Sequence, residues 1–303
     1  MAIGIDPTVD YPFKRLFGSP EHPAITIHFL NAVLGPVPRI EQVTILDPIT
    51  NRLTEDGKLL IFDVKARDDR GRWLNIEMQS SKHAGLPQRL ALYAASMYVG
   101  QFREGESYSS LCPAISICVL DAVLFPGVPD MHLDFRLRSG SHDLVLTDDL
   151  QVHFLELPKY NPKKPPPQDA SPLEKWAYFL RYGKDLTPDE IREFLFDPVF
   201  IEAAEVLQMI AQSPSERALY EARLKLETDQ VWKLQEAKDE GRKEGRDEGL
   251  VLGIQRGEYR GQIRLLQNIL GQPESSEGEL EAMDIGQLQN ELARLRALLQ
   301  DRR

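Results

Sequence analysis

Apolar residues in roughly the first 157 positions follow two periods, one typical of helices and one typical of strands. Helical spacing marks FKRLFG, AITIHFLNAVLG and PQRLALYAASMYVGQF. Strand patterns mark VTILD, KLLIFDVKARD, WLNIEMQ, AISICVLDAVLF and VHFLEL. The resulting order of helices, three strands, a helix and further strands predicts a mixed α/β domain.

The segment DDRGR, from Asp68 to Arg72, separates the second and third predicted strands and is a hairpin turn signal. KLLIFDVKARD and WLNIEMQ should therefore pair as antiparallel neighbours. In WLNIEMQ, the apolar residues at 74, 76 and 78 share one face, while Glu77 and Gln79 project from the other with Trp73 and Asn75. A hydrophobic strand thus carries a carboxylate and an amide one pleat apart, and these two polar side chains are candidates for a functional role.

A proline-rich connector, PKYNPKKPPPQDA, occupies residues 158–170 and excludes a regular helix or a central strand there. Two helices should follow it. Capping-box patterns mark their starts, Ser171 with Glu174 and Thr187 with Glu190, each with proline at the first helical position.

The chain divides into a predicted domain at 1–212, with the connector inside it, and a charged helical extension at 213–303. Glycine recurs every fourth residue from 241 to 261 in this extension, and each helical glycine costs about 1 kcal/mol relative to alanine. Two interpretations stay open: a flexible linker, or a helix whose glycine stripe approaches another helix. On the second, we predict a mainly helical segment at 215–270 that forms a homodimer, followed by an amphipathic helix in IGQLQNELARLRALLQDRR.

Composition and charge narrow the possible functional classes and the cellular location of the protein. The net charge of −11 argues against a protein that coats nucleic acid through bulk electrostatics. No apolar run reaches the roughly 18 residues that span a bilayer, and the start lacks the pattern of a signal peptide, so we expect a cytoplasmic protein with no membrane partner. Cys112 and Cys118 lie in an apolar stretch without other metal ligands, which predicts buried thiols and not a zinc site.

Two predicted neighbouring strands each carry a carboxylate in an apolar setting, Asp63 and Glu77. Buried carboxylates are costly unless they are paired or bound to metal. If both point to the same side they can share a divalent cation, and Mg²⁺ prefers one or two carboxylates with waters and phosphate oxygens. Lys65 and Gln79 would project beside them. Spacing alone also allows two solvent-facing acids with Lys65 as their salt-bridge partner.

Three segments, DPTVDYPFKRLFG, DVKARDDRGRWLNIEMQ and QRLALYAASMY, together resemble the Rpn-type recombination-promoting nucleases, a transposase-like family of the PD-(D/E)XK nuclease superfamily. The resemblance continues through SYSSLCPAISICVLD and VHFLELPKY and covers roughly residues 1–200. It implies a restriction-endonuclease-like mixed sheet flanked by helices. It also implies a Mg²⁺-dependent DNA endonuclease, associated with recombination or mobile DNA, that hydrolyses phosphodiester bonds.

Carried onto this sequence, the resemblance makes Asp63 the central metal-binding aspartate and Glu77 the first acid of the D/E-x-K motif. The carbonyl of Met78 would complete the shell of Mg²⁺, for which Mn²⁺ or Ca²⁺ can substitute. Gln79 stands where many relatives have lysine. Glutamine forms hydrogen bonds but carries no charge, and Lys65 or Lys14 could supply the missing positive charge.

The superfamily also places an acid on its first helix, and Asp10 is our choice over Asp6 because it leads directly into the helical pattern. A simple N-cap role for Asp10 stays open. On the helix after the site, Gln88, Arg89 and Tyr93 fit the place where relatives direct polar groups toward the strands. Arg89 would contact a phosphate or form a structural salt bridge.

A second hypothesis comes from a different class. The chain would be a non-catalytic interaction protein, in which a decayed nuclease fold is a scaffold for the C-terminal helices. Metal binding between Asp63 and Glu77 discriminates the two hypotheses.

Overall fold

The alternating segments form one mixed sheet in the computed structural model, which describes residues 1–35, 38–49, 60–162 and 165–300. In these ranges the sheet has six strands: β1 Val43–Leu46, β2 Val64–Asp68, β3 Trp73–Gln79, β4 Ala114–Leu120, β5 His132–Arg138 and β6 Val145–Glu156. Their spatial order is β1-β2-β3-β4-β6-β5. The β3–β4 and β4–β6 pairs are parallel and the other pairs antiparallel, which confirms the predicted mixed sheet.

Helices flank this sheet and continue to the C-terminus. Their bounds are α1 Asp10–Phe17, α2 Pro23–Leu34, α3 Leu86–Val99, α4 Pro172–Tyr182, α5 Pro188–Leu195, α6 Pro198–Gln212, α7 Pro214–Leu270, α8 Glu277–Ala282 and α9 Ile285–Gln300. The chain forms two compact units, Met1–Leu226 and Glu227–Arg303. Among the described helices, none is long and apolar enough to cross a membrane.

Strand β3 is covered on both faces. Leu74, Ile76 and Met78 enter the main hydrophobic core, which α1, α2, α4 and α6 also line. On the opposite face, Phe62 and Tyr93 belong to a second cluster beneath α3. The middle of the polar face of WLNIEMQ, at Asn75 and Glu77, is therefore buried beneath a helix, and any charge there must find a partner.

The predicted hairpin is confirmed, with β2 and β3 antiparallel around a turn in which Gly71 has a φ of +81°. The buried carboxylate of Asp68 closes this turn, since it accepts hydrogen bonds from the backbone N–H groups of Arg70 and Arg72 and a 2.6 Å contact from the Arg72 guanidinium. The predicted strand KLLIFDVKARD is too long, because β2 begins only at Val64. Its residues 58–59 lie outside the described ranges.

Several other local expectations can be compared with the structure. Both capping boxes, at Ser171 and Thr187, form as predicted. Where the connector 158–170 is described, it has no strand or α-helix, although a 3₁₀ turn, Leu157–Lys159, overlaps its start. The prediction of two buried thiols is wrong for Cys112, which is partly exposed just before β4, and right for Cys118 inside it.

The segment predicted to be mainly helical, 215–270, lies entirely within α7, and this prediction is confirmed. The glycines that recur every fourth residue from 241 to 261 are called the glycine ladder. A Cβ atom added at any of them would meet no described atom within 4 Å, so the glycine stripe faces open space in the single chain. Beyond the ladder, one apolar cluster joins the end of α7 to α8 and α9: Ile263, Leu270, Leu280, Leu288, Leu292 and Leu295.

Candidate active site

Asp63 and Glu77 meet where β2 begins. Val64 pairs with Ile76 in the antiparallel register, so Asp63, one residue earlier, lies opposite Glu77. The backbone N–H of Asp63 donates to Glu77 Oε1 at 3.0 Å, and the N–H of Met78 donates to Asp63 Oδ2 at 3.0 Å. Each carboxylate thus accepts a hydrogen bond from the backbone of the other segment. These bonds fix the two acids beside each other at the end of the β2–β3 pairing.

Two cations contact the other oxygens of this pair. The ammonium of Lys14, on α1, lies 3.1 Å from Asp63 Oδ1. The guanidinium of Arg89, on α3, lies 3.3 Å from Glu77 Oε2. All four carboxylate oxygens therefore have a donor, and the cations come from helices on both sides of the strand pair.

Burial dominates the electrostatics of Glu77, which is 2% exposed. Desolvation and the nearby Asp63 carboxylate raise the pKa of Glu77 to about 8, although the Asp63 N–H and Arg89 oppose this rise. Burial lowers the pKa of Lys14, but the carboxylates of Asp63 and Asp10 outweigh it and raise that pKa overall. Arg89 and the backbone N–H thus offset the burial of Glu77 only in part, and a divalent cation would add positive charge that favours the ionised carboxylate.

Asp10 joins the site through Lys14. Val9 is the N-cap residue of α1 and Asp10 is its first helical residue, so the N-cap interpretation of Asp10 is wrong. Asp10 Oδ1 lies 2.5 Å from the same Lys14 ammonium that contacts Asp63. Asp6, in contrast, accepts hydrogen bonds from Thr8 and pairs with Lys184.

The other predicted residues lie at varied positions around the pair. The Tyr93 hydroxyl donates to the Ile61 carbonyl, and the Tyr93 ring lies 5.6 Å from the Arg89 guanidinium. Gln88 is exposed on the first turns of α3, and Gln79 is partly exposed at the last position of β3. Arg89 forms the salt bridge that was one of its two predicted interpretations.

Lys65 contacts aromatic rings and not the two acids. Its ammonium lies 5.6 Å from the centre of the Phe62 ring and 5.4 Å from that of Trp73, and burial lowers its pKa. Among the described residues, Lys65 forms no salt bridge. The interpretation of Asp63 and Glu77 as solvent-facing acids paired with Lys65 is therefore wrong.

Two neighbours of the site were missed from the sequence. Asn75 is buried one pleat before Glu77, where its amide helps to lower the Glu77 pKa and donates to the Ser116 hydroxyl at 3.1 Å. Its position on the polar face of WLNIEMQ could have drawn attention to it. Arg223 lies 3.6 Å from Asp10 Oδ2, and no local pattern connects a residue on α7 with the first helix.

The donor set fits a hard cation held by few protein ligands. In the described part of the chain, no group of three or more His, Cys, Asp or Glu side chains could hold a metal ion. Asp63 and Glu77 provide two carboxylates, which suits Mg²⁺ because that ion keeps several waters. An incoming cation would have to displace Lys14 from Asp63 Oδ1 and Arg89 from Glu77 Oε2.

The comparison with protein families agrees with this geometry. A family model described as PD-(D/E)XK nuclease family transposase matches residues 7–237, a span that contains the whole sheet and all the acids of the site. Searches of curated proteins and of solved structures found no significant match. The match confirms both the predicted resemblance and the PD-(D/E)XK-like fold of a mixed sheet flanked by helices, with a helical C-terminal region. The chain belongs to the PD-(D/E)XK nuclease family transposases.

Proposed function

We propose that this protein is a Mg²⁺-dependent DNA endonuclease that hydrolyses phosphodiester bonds during recombination or the movement of mobile DNA. Membership of the family supports the general class of nuclease or transposase-like protein. The observation that carries the specific proposal is the hydrogen-bonded pair of Asp63 and Glu77, a largely buried pair with a cation at each outer oxygen. A stable fold has little reason to bury two adjacent carboxylates, since hydrophobic residues would cost less.

In this proposal Asp63, Glu77 and the Met78 carbonyl hold the cation. The bound metal would polarise the scissile phosphate and lower the pKa of a water molecule. Gln79, at the partly exposed end of β3, would orient that water or a phosphate oxygen by hydrogen bonds.

Positive charge for DNA would come from Lys14 and Arg89, the two residues that contact the acids. With the carboxylates engaged as ligands, the Lys14 ammonium and the Arg89 guanidinium would be available to phosphate oxygens. Tyr93 supports the Arg89 guanidinium, and the exposed Gln88 lies next to it on α3. Lys65 adds a further ammonium on the same hairpin, over the rings of Phe62 and Trp73. This local arrangement is compatible with DNA binding by a chain whose net charge is −11.

Self-association through α7 would suit double-strand cleavage, with each subunit cutting one strand of the duplex. The apolar residues Leu250, Val251 and Ile254 are 56–65% exposed on the glycine-ladder segment of α7. A second copy of the chain could cover them, because the glycines allow close approach of two backbones. We therefore propose a homodimer formed through the C-terminal helical region.

Plasmid cleavage tests the proposed function. Wild type should nick supercoiled DNA in Mg²⁺ or Mn²⁺ and stay inactive in a chelator, and Asp63→Ala should be inactive under every condition. Asp189→Asn is the matched control, because this acid is exposed on α5 and pairs only locally with Arg192. Wild type that never cleaves, and in which no metal binds between Asp63 and Glu77, would favour the scaffold hypothesis.

A further inference from the structure

The first turns of α7 pack against the segment that carries Asp10 and Lys14. Three α7 residues share one helical face and contact this segment: Glu216, Tyr220 and Arg223. Glu216 accepts a 2.7 Å hydrogen bond from the Tyr11 hydroxyl and lies 3.4 Å from the Arg15 guanidinium. These contacts fix the start of α7 along α1.

Tyr220 anchors the same face in the core. Its side chain is buried in the main hydrophobic cluster, and its hydroxyl accepts a hydrogen bond from the Asp6 backbone N–H at 3.3 Å. Arg223 follows almost one turn later, so the anchored helix determines where its guanidinium can reach. The Arg223 side chain is 55% exposed.

A chain of alternating charges runs from Arg223 to the strand pair. Arg223 Nε lies 3.6 Å from Asp10 Oδ2, while Asp10 Oδ1 contacts the Lys14 ammonium at 2.5 Å. The same ammonium lies 3.1 Å from Asp63 Oδ1. Asp10 therefore divides its two oxygens between two cations, and Lys14 divides its donors between two acids.

We propose that Arg223 is a positioning residue of the nuclease site, which acts through Asp10 to set the position of Lys14 at Asp63. This inference rests on the proposed function. Arg223 neutralises part of the Asp10 charge and holds one of its oxygens. Without it, Asp10 would hold Lys14 more tightly, and the ammonium would be less available to the scissile phosphate.

The proposal places the functional boundary of the nuclease inside α7. Glu216, Tyr220 and Arg223 all belong to the compact unit Met1–Leu226 and all follow residue 212, the boundary that sequence patterns favoured. The family match extends further, to residue 237. The helix that bears the glycine ladder thus begins as an element of the site.

Single-turnover DNA cleavage by the full chain at saturating Mg²⁺ tests the role of Arg223. Arg223→Gln should slow cleavage about 10-fold, the usual loss when an outer partner of a site is removed. Arg223→Lys should restore most of the rate because it keeps the charge. Arg217→Gln is the control on the same helix, where Arg217 pairs with Glu221, and it should change the rate less than about twofold.

The effect of Arg223→Gln should disappear in an Asp10→Asn background, because Arg223 acts through that carboxylate. A wild-type rate in Arg223→Gln would overturn the proposal. The proposal would also be overturned if Arg223→Gln lost the same cleavage rate in the Asp10→Asn background and bound DNA more weakly in Ca²⁺. That result would indicate that Arg223 contacts a DNA phosphate directly.

Thermal unfolding separates failure of this inference from failure of the proposed function. If wild type fails to cleave DNA in the presence of Mg²⁺ and also in the presence of Mn²⁺, the nuclease proposal fails, but the contact of Arg223 with Asp10 can still be tested. The shifts in melting temperature of Arg223→Gln and Asp10→Asn should still be non-additive, since the two residues form one pair. Additive shifts in the double variant would show that no such coupling exists and would overturn the role of Arg223.

Discussion

Charged residues are abundant in both the strand-pair site and the glycine-ladder segment of α7, but their surroundings differ completely. Glu77 is buried at the end of the β2–β3 hairpin, and its partners, Asp63 and Arg89, come from outside its own strand. The charged residues between 236 and 248 on α7 are all exposed. Gln235 with Asp239 is an example of a contact made there within a single helix.

This difference teaches that burial, and not charge content, marks the chemical site. An exposed pair of opposite charges contributes little to stability. A buried carboxylate must be compensated, and the Glu77 pKa of about 8 shows that the protein compensates it only in part. This incomplete compensation is what supports the proposed cation site.

The largest expected effect comes from removing the charge of Glu77 while keeping its shape. Glu77→Gln should reduce metal-dependent cleavage at least about 100-fold, since a ligand and its charge are lost. Glu193→Gln, an exposed acid on α5, is the matched control and should cleave like wild type. Plasmid nicking measures both variants, and a Glu77→Gln chain that cuts at the wild-type rate would show that this carboxylate is not a ligand.

Removing the glycine-ladder helix should change the assembly state. The full chain is expected to sediment as a dimer at tens of micromolar, and a chain that ends at Leu226 as a monomer. Leu226 is the right end point because Tyr220 is part of the main core. If both chains sediment as monomers, the ladder does not mediate self-association.

A smaller effect should appear in the pH dependence of stability. Because the folded pKa of Glu77 is about 8 and its ordinary value is 4.5, the folded state holds a proton that the unfolded state releases between these pH values. Wild type should lose stability as pH rises through this window, and Glu77→Gln should not. In calorimetry without metal, the variant should melt at least a few degrees higher than wild type at pH 8.5, with a smaller difference at pH 5. Equal melting temperatures of wild type and Glu77→Gln at every pH would mean that burial does not disfavour the ionised form of Glu77.

Some parts of this picture follow from local sequence patterns. The alternation in WLNIEMQ predicts β3, the turn signal predicts the hairpin, and the antiparallel register then brings Asp63 and Glu77 together. The capping boxes at Ser171 and Thr187 are equally local. These features depend on residues a few positions apart, whose contacts are set by strand and helix geometry.

Other parts depend on tertiary packing and could not be predicted. The position of Lys65 over two aromatic rings and the contact of Arg223 with Asp10 both follow from how distant elements pack. Strand β5 and the first half of β6 were also missed, although HLDFRLR alternates apolar and charged residues as a strand at an exposed edge of a sheet does. Helix α6 was missed as well, although Asp197 caps it.

The smallest expected effect involves a second polar pair, near the β5 edge of the same sheet, in which His153 is buried and His132 is half-buried. His132 Nε2 and His153 Nδ1 are 3.0 Å apart, and burial together with His132 lowers the pKa of His153 to about 4. The unfolded state therefore takes up a proton first as pH falls below about 6.5, so stability should decline between pH 6.5 and 4.

Thermal unfolding against pH checks the histidine pair. His153→Gln should flatten the acid slope of the melting temperature by roughly a few degrees between pH 7 and 5. His142→Gln, an exposed histidine at the tip of the β5–β6 hairpin, should leave the slope unchanged. Equal slopes in the two variants would mean that burial of His153 does not control acid stability.

Metal binding in solution tests the central claim most directly. Titration of the full chain with Mn²⁺, followed by electron paramagnetic resonance, should show about one bound ion per chain in wild type. The ion should be lost in Asp63→Asn and in Glu77→Gln and retained in Asp189→Asn. Binding that survives in both site variants, or wild type that binds no Mn²⁺, would contradict the assignment of Asp63 and Glu77 as a metal site.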